Sequence, residues 1–543
     1  MIQCLHEFVS RGAQQWPQQT ALVLKADRVS YGELWSSIEQ TAAGLSYLGI
    51  GRSDRVGVWL DKRIETITAF FGASLAGATF VPINPVLRVP QVMHILKDCN
   101  VRILVTSRDR LSALGGAAFD CPDLTAIVLV DAQGGDRQQG RISILDWPAL
   151  QGTAPVAAAD FPRVIDLDMA AILYTSGSTG LPKGVVLSHR NLVVGGESVS
   201  QYLENRPQDR ILAALPLSFD AGLSQITTAF CAGATVFLLN YLLPGDLKQI
   251  CAKEGITGLT AVPPLWFQIS ELDWSDGAGA SLRYFANTGG HMPYTLLQRL
   301  RGIFPAAKPY LMYGLTEAFR STYLDPGQVD HRPNSIGKAI PNAEIMVVNA
   351  EGKACAPGEE GELVHRGALV SLGYWNDPKR TAERFRPAPG RSPEIPLQEM
   401  AVWSGDIVKT DDEGFLYYVG RRDDMIKTSG YRVSSTEIEE VIFATGLVDE
   451  AVAIGVPHPT LGQGIVVIAK PKAGSSLAQN ELMIACRRDL PLYMVPARFV
   501  ERAQLPRNPN GKIDRQELAR ELNGCFEEQN ASRSGGPTTC TPR

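Results

Sequence analysis

At 543 residues the chain is long enough for more than one domain and several buried cores. Hydrophobic residues at 45% and charged residues at 20% are ordinary for a soluble globular protein. A net charge of −5 offers no basic footprint for nucleic acid.

Met1-Ile-Gln-Cys-Leu-His-Glu7 has neither a basic leader nor an apolar core, so no signal peptide is expected. Short apolar, β-branched runs then recur at 56–60, 103–106, 126–130, 171–174, 210–214, 235–239 and 259–262. Helix-like stretches at 64–76, 90–99 and 295–303 fall between several of them, and this alternation predicts α/β layers with parallel sheets. The segment 221–245 carries no charge and invites a membrane reading. Ser224, Gln225, Thr227, Thr228, Gly233, Asn240 and Pro244 interrupt it, so a buried helix ending near Gly233 and a buried strand at 235–239 are expected instead. From about 335 to 420 the texture becomes β-rich, with strands at 344–348, 361–365 and 415–419 between Gly/Pro/Asp turns. After Asp423 a compact α+β unit is predicted. Ser434 or Ser435 caps a helix, strands follow at 450–456 and 464–470, and a helix covers 479–489. Residues 524–543, rich in Ser, Gly, Pro and Thr, read as a disordered tail. The nine scattered cysteines form no Cys-x-x-Cys pair, which argues against a zinc cage and for reduced cytosolic thiols.

The chemically richest string is Tyr174-Thr-Ser-Gly-Ser-Thr-Gly-Leu-Pro-Lys-Gly184, led in by the apolar run from Ala170. Its glycines allow close backbone approach to a phosphate. Its hydroxyls and N–H groups donate, and Lys183 adds positive charge. It is not a Walker loop, because Lys183 lies between Pro182 and Gly184.

This string closely resembles the phosphate loop of the adenylate-forming superfamily: acyl-CoA synthetases, adenylation domains of peptide synthetases and firefly luciferase. The superfamily's other motifs follow in order as Tyr313-Gly-Leu-Thr-Glu317, Ser404-Gly-Asp406, Gly420-Arg-Arg-Asp-Asp424, Ser429-Gly-Tyr-Arg432 and Asn510-Gly-Lys-Ile-Asp-Arg515. The resemblance implies an α/β fold with a large N-terminal AMP-binding domain over 1–422. Two layered α/β subdomains and the β-rich part would compose it, followed by a small mobile α+β domain over 423–523. It also implies roles for individual residues. Thr175, Ser176, Gly177, Ser178, Thr179, Gly180 and Lys183 would hold phosphates. Gly289, Gly290 and Tyr313 would enclose adenine, while Asp406, Arg421 and the less specific Tyr418 would hold the sugar side of the nucleotide. Thr316 would donate to the α-phosphate, and Glu317 would hold Mg²⁺, a hard ion suited to oxygen ligands. Lys512 would bridge the attacking carboxylate and the α-phosphate, where electrostatic aid is worth roughly 3–4 kcal/mol. Asp423 matches the hinge on which the small domain alternates, and Gly430 the lining of a pantetheine-thiol tunnel. Turn residues supply the plainer readings, above all for Lys512 in its Pro-Asn-Gly context, and His189 reads equally as a loop histidine.

The acyl pocket departs from the pattern. Leu215-Pro-Leu-Ser-Phe-Asp-Ala221 resembles the Phe-Asp-x-Ser motif of amino-acid-activating domains, whose aspartate pairs with an α-ammonium, but Gly222 replaces the serine. Asp220 therefore reads either as a substrate anchor or as a helix cap. Arg320 reads either as a pocket cation for a second carboxylate or as a structural ion-pair partner. The leading expectation is a cytoplasmic, ATP-dependent acid–thiol ligase that forms acyl-AMP and then acyl-CoA. It resembles most nearly the AMP-forming ligases associated with exosortase systems. The alternative is a stand-alone amino-acid-adenylating enzyme that loads a separate carrier protein, since too few residues follow Arg515 to hold a carrier domain.

Overall fold

The computed structural model describes residues 2–131, 137–152, 155–156, 161–175, 182–392, 394–421, 425–472, 474–506 and 513–526. They divide into two compact units, a large one holding nearly all residues up to 421 and a small one holding 425–526.

Two sheets build the large unit. In the first, the strands Met169–Thr175, Thr79–Pro82, Arg55–Trp59, Val101–Thr106 and Ala126–Leu129 run parallel in that spatial order. Lys183–Ser188 closes one edge antiparallel to Met169–Thr175. In the second, Thr235–Leu238, Arg210–Ala213, Gly258–Ala261, Tyr284–Asn287 and Lys308–Tyr313 form a parallel block. These strands are mostly apolar along their length because both faces are covered. Helix Ile64–Leu75 of the first half meets helix Asp220–Ala232 of the second through Phe71 and Phe230, whose centroids lie 5.4 Å apart, edge to face. Both rings are fully buried. Burying each contributes about 1.5–3 kcal/mol.

The uncharged segment is a buried helix ending at the left-handed Gly233, then the strand Thr235–Leu238. Among the described residues no helix is long and apolar enough to cross a membrane. The β-rich part is not a sheet of its own, which refines the expected layering. Lys308–Tyr313 turns antiparallel onto Thr322–Leu324, then Ser335–Ala339 and then Leu416–Arg421, so the β-rich strands extend the second sheet without a break. Backbone hydrogen bonds continue across that edge where sequence texture suggested a boundary.

The small unit is built on the long hairpin of Val448–His458 and Gly462–Pro471. Helix Ser435–Ala444 is capped by Ser434, whose hydroxyl accepts from the Glu437 N–H at 3.3 Å. Helix Arg515–Glu521 is capped by Asp514. Arg515 grips Glu439 through two hydrogen bonds of 2.6 and 3.0 Å and the Ala453 carbonyl at 2.8 Å. Residues 524–526 are corrected from tail to core: Phe526 is buried against His458, their rings 4.8 Å apart, because its apolar area is covered by the hairpin.

Candidate active site

Thr316, Glu317, Gly289, Gly290 and Asp220 follow the carboxyl ends of parallel strands, Thr175 and Lys183 end and begin paired strands, and Asp406, Tyr418 and Arg421 lie on the antiparallel extension of the second sheet. Chain crossings at strand ends of α/β sheets leave crevices there. Ser176, Gly177, Ser178, Thr179 and Gly180 lie outside the described residues, and the residues on either side of them are tied down. Tyr174 donates its hydroxyl to Asp98 at 2.5 Å, and His94 Nε2 donates to the Pro182 carbonyl at 3.0 Å. Helix Val89–Asp98 supplies both partners. Burial pushes the Tyr174 phenol strongly upward, so it is a neutral donor. Thr175 Oγ1 is buried with no hydrogen-bond partner among the described residues, which leaves a hydroxyl at the turn's mouth.

Lys183 begins the outgoing strand, and its ammonium reaches across to two other elements. It donates to the Tyr374 hydroxyl at 2.7 Å and lies 3.4 Å from Glu317 Oε1. Tyr374 in turn donates to Glu317 Oε1 at 2.7 Å. The three side chains come from segments widely separated in sequence and meet through backbone pairing. The segment Leu372–Trp375 runs alongside Gly184–Val186, with Leu372 N–H donating to Val186 O at 2.8 Å and Trp375 N–H to Gly184 O at 2.7 Å. Ser371 N–H donates to the Glu317 carbonyl at 2.9 Å. Tyr374 was not singled out in the sequence. Its signal was the aromatic pair Tyr374-Trp375 following Gly373, which reads as packing until the pairing is known.

Thr316 and Glu317 sit in one 3-10 turn, Thr316–Ala318, directly after the strand Lys308–Tyr313, and both are buried. The next residue, Phe319, has φ of +53°, a left-handed value costly for a bulky side chain. Packing holds it: the Phe319 ring lies so close over Gly195 that a Cβ there would stand 2.4 Å from it. Only glycine at 195 lets helix His189–Tyr202 accept this ring.

Tyr313 donates its hydroxyl to Asp406 Oδ2. Asp406 is buried in the strand Met400–Thr410, and the Ser404 hydroxyl accepts from its N–H at 3.1 Å. Arg421 is the direct backbone partner of Asp406 in the neighbouring strand, although its side chain lies outside the described residues. Tyr418 is 37% exposed on that strand. Gly289, with φ of +76°, and Gly290 follow the strand Tyr284–Asn287, where Asn287 Nδ2 donates to the Gly290 carbonyl at 2.9 Å.

Asp220 and Arg320 form a separate pair. Asp220 opens helix Asp220–Ala232 but does not cap it, since Phe219 occupies the cap position with no side-chain bond. Its Oδ2 lies 3.5 Å from Arg320 Nη1, and Nη1 also donates to Thr288 Oγ1 at 3.1 Å. The absence of the motif serine has a steric cause: a Cβ on Gly222 would stand 1.9 Å from the Pro216 carbonyl oxygen.

In the small unit, Gly430 and Ser429 form the two-residue turn between Ile426–Thr428 and Tyr431–Val433, both with positive φ as such hairpin turns require. Asp423 and Lys512 lie outside the described residues. The segment before Asp514 is closed at its base by the Asp514 N–H donating to the Pro506 carbonyl at 2.8 Å. His189 is a core residue: it opens helix His189–Tyr202, its Nδ1 accepts from the Leu5 N–H at 3.1 Å, and burial pulls its pKa down to about 3.

A family model described as an AMP-binding enzyme matches residues 9–375, and one described as the AMP-binding enzyme C-terminal domain matches 437–512. The chain is 30% identical to an L-proline--[L-prolyl-carrier protein] ligase of Pseudomonas fluorescens, over 96% of this chain and 100% of that protein. It is 32% identical to an L-proline--[L-prolyl-carrier protein] ligase of Streptomyces coelicolor, over 91% of this chain and 92% of the other. Among solved structures, the amide bond synthetase McbA of Marinactinospora thermotolerans shares the fold, with a TM-score of 0.84 at 21% identity over 96% of this chain and 100% of that one.

Proposed function

The chain belongs to the AMP-binding enzyme family and is an adenylate-forming ligase, and we propose that it activates an amino acid and loads it onto the thiol of a separate carrier protein. The observation that carries the amino-acid reading is Asp220, a carboxylate only 15% exposed that opens its helix without capping it, where a substrate ammonium joins Arg320 in offsetting its charge. The two relatives matched along nearly their whole length act on prolyl-carrier proteins, and they support the same choice of thiol. Free CoA, the acceptor expected first, is the second acceptor to be tested, since the relatives favour a carrier protein.

In the first half-reaction a carboxylate oxygen of the amino acid attacks the α-phosphorus of ATP, the bond to the bridging oxygen breaks, and pyrophosphate leaves. Lys183 and the turn after Thr175 hold the phosphates, and the Thr316 hydroxyl donates to the α-phosphate. Tyr313 stacks on adenine beside Gly289 and Gly290. Asp406 accepts from the ribose hydroxyls, flanked by Arg421, with Tyr418 nearby on the same strand. Glu317 would hold Mg²⁺: its buried carboxylate, with the Tyr374 hydroxyl beside it, suits a hard ion that keeps most of its waters and would supply charge neutralisation to the phosphates. Lys512 supplies the cation that offsets the meeting of two anions. In the second half-reaction the carrier thiol attacks the carbonyl carbon, the bond to AMP breaks, and the thiol proton passes to solvent. Rotation about Asp423 exchanges Lys512 for the Gly430 turn between the two steps.

ATP–pyrophosphate exchange over a panel of amino, fatty and aromatic acids tests the first step. Intact-mass analysis of a pantetheinylated carrier protein, run beside free CoA, tests the second. An aminoacyl mass gain on the carrier is expected. Turnover to free acyl-CoA with an untouched carrier would overturn the proposal.

A further inference from the structure

Resting on the amino-acid reading above, we infer that the acyl pocket selects a short amino acid bearing a second carboxylate, of the aspartate or glutamate class. Arg320 is 3% exposed, yet one of its N–H donors is unmet among the described residues. Nη1 shares Thr288 and the longer contact to Asp220, while the buried Nε has no hydrogen-bond partner among the described residues. An arginine carries five N–H donors in a planar fork that matches a carboxylate. A buried guanidinium left this open is costly by itself and is relieved by an acceptor brought from outside.

The space beside it is small. A narrow cavity sets the guanidinium and the hydroxyl residues Ser224, Thr228 and Thr260 among apolar walls that include Val199, Leu203 and Met312. A short substrate side chain suits that space better than a long or aromatic one.

Charge balance points the same way. Asp220 is the only anion in contact with Arg320 among the described residues. Once the α-carboxylate is esterified to AMP and Asp220 turns to the substrate ammonium, the pocket holds two cations against one carboxylate. A neutral amino acid leaves that imbalance buried. A second substrate carboxylate restores neutrality and fills the open face of the guanidinium, so each buried charge exchanges one partner for another.

The test is pyrophosphate exchange by the full-length chain with the twenty common amino acids, together with succinate and glutarate. Aspartate or glutamate is expected to exceed asparagine, glutamine and proline by tenfold or more in kcat/KM. Arg320→Met is expected to abolish that preference while ATP binding, read by calorimetry, persists. Arg320→Lys, which keeps the charge without the fork, should recover part of it. If neutral amino acids match or exceed the acidic ones on the unmodified protein, the inference is overturned and the amino-acid reading stands. If succinate or glutarate supports exchange and no amino acid does, the amino-acid reading is overturned and the carboxylate role of Arg320 survives.

Discussion

The Tyr313 hydroxyl donates to the Asp406 carboxylate, joining the end of one strand to the middle of another 93 positions later in the chain. The two residues proposed to hold the base and the ribose are thus locked together before any nucleotide arrives. A carboxylate whose orientation is set in advance loses less freedom on binding.

Removing that hydroxyl should be felt at the nucleotide. Tyr313→Phe keeps the ring and deletes the donor to Asp406. The KM for ATP in pyrophosphate exchange is expected to rise about 5- to 30-fold, the equivalent of ~1–2 kcal/mol. The amino-acid KM should move far less. Equal shifts in both would mean that the bond serves only to hold the fold.

Tyr374 is the positioning residue for the phosphate lysine. Without its hydroxyl, Lys183 loses the 2.7 Å acceptor and keeps the 3.4 Å contact to Glu317 and the ring face, whose centroid lies 4.0 Å away. Tyr374→Phe is expected to lower the exchange rate about 10-fold, since a hydrogen bond to a charged group is worth roughly 1.5–3 kcal/mol. Lys183→Ala should cost more, on the order of 10²–10³-fold. Raised Mg²⁺ demand in Tyr374→Phe would show that the phenol also orients Glu317. Titration of exchange against Mg²⁺ measures it.

The two half-reactions should separate by mutation. Lys512→Ala is expected to abolish adenylate formation while sparing thioester formation from supplied aminoacyl-AMP. Gly430→Leu should do the reverse, because a side chain there obstructs the thiol. Single-turnover assays of each step provide the comparison, and parallel loss of both steps in both variants would defeat the two-orientation scheme.

Acid should destabilise the large unit through a buried histidine. His365 is fully buried, with Nδ1 on Ser321 at 2.9 Å, and desolvation lowers its pKa from 6.5 to about 3. The folded chain keeps it neutral while the unfolded chain protonates near 6.5. The unfolded state therefore binds the extra proton as pH falls. The stabilising contribution is complete above about 6.5 and is lost progressively from there down toward 3, at up to about 1.4 kcal/mol per pH unit. Urea melts at pH 7, 6 and 5 should show a fall in midpoint that His365→Asn makes shallower. An unchanged pH slope in the variant would refute the assignment.

Much of this architecture was legible in the chain itself. Runs of β-branched and other apolar residues marked the strands of both sheets because a strand covered on both faces is mostly apolar, as Ala126–Leu129 is throughout. Ser434 before an acidic first turn marked a helix start, and Gly233 marked a helix end, for local reasons of capping and left-handed backbone. Glu317 and Asp406 could be named because their motifs stand in a recognisable order.

What they touch was not legible. The bond from Tyr374 to Glu317 spans 57 positions and that from Lys183 to Tyr374 spans 191. Such contacts depend on strand register and on which sheet edge continues into the next, and neither leaves a local trace in residue order. The sequence alone determined the elements and the chemical inventory, since propensity, periodicity and turn chemistry act over a few neighbours. Tertiary structure alone decided that Asp220 opens its helix without capping it, that Gly222 must lack a side chain, and that Arg320 is buried with a donor to spare. Burial and unmet hydrogen bonding are properties of packed surroundings, and those exist only once distant segments have come together.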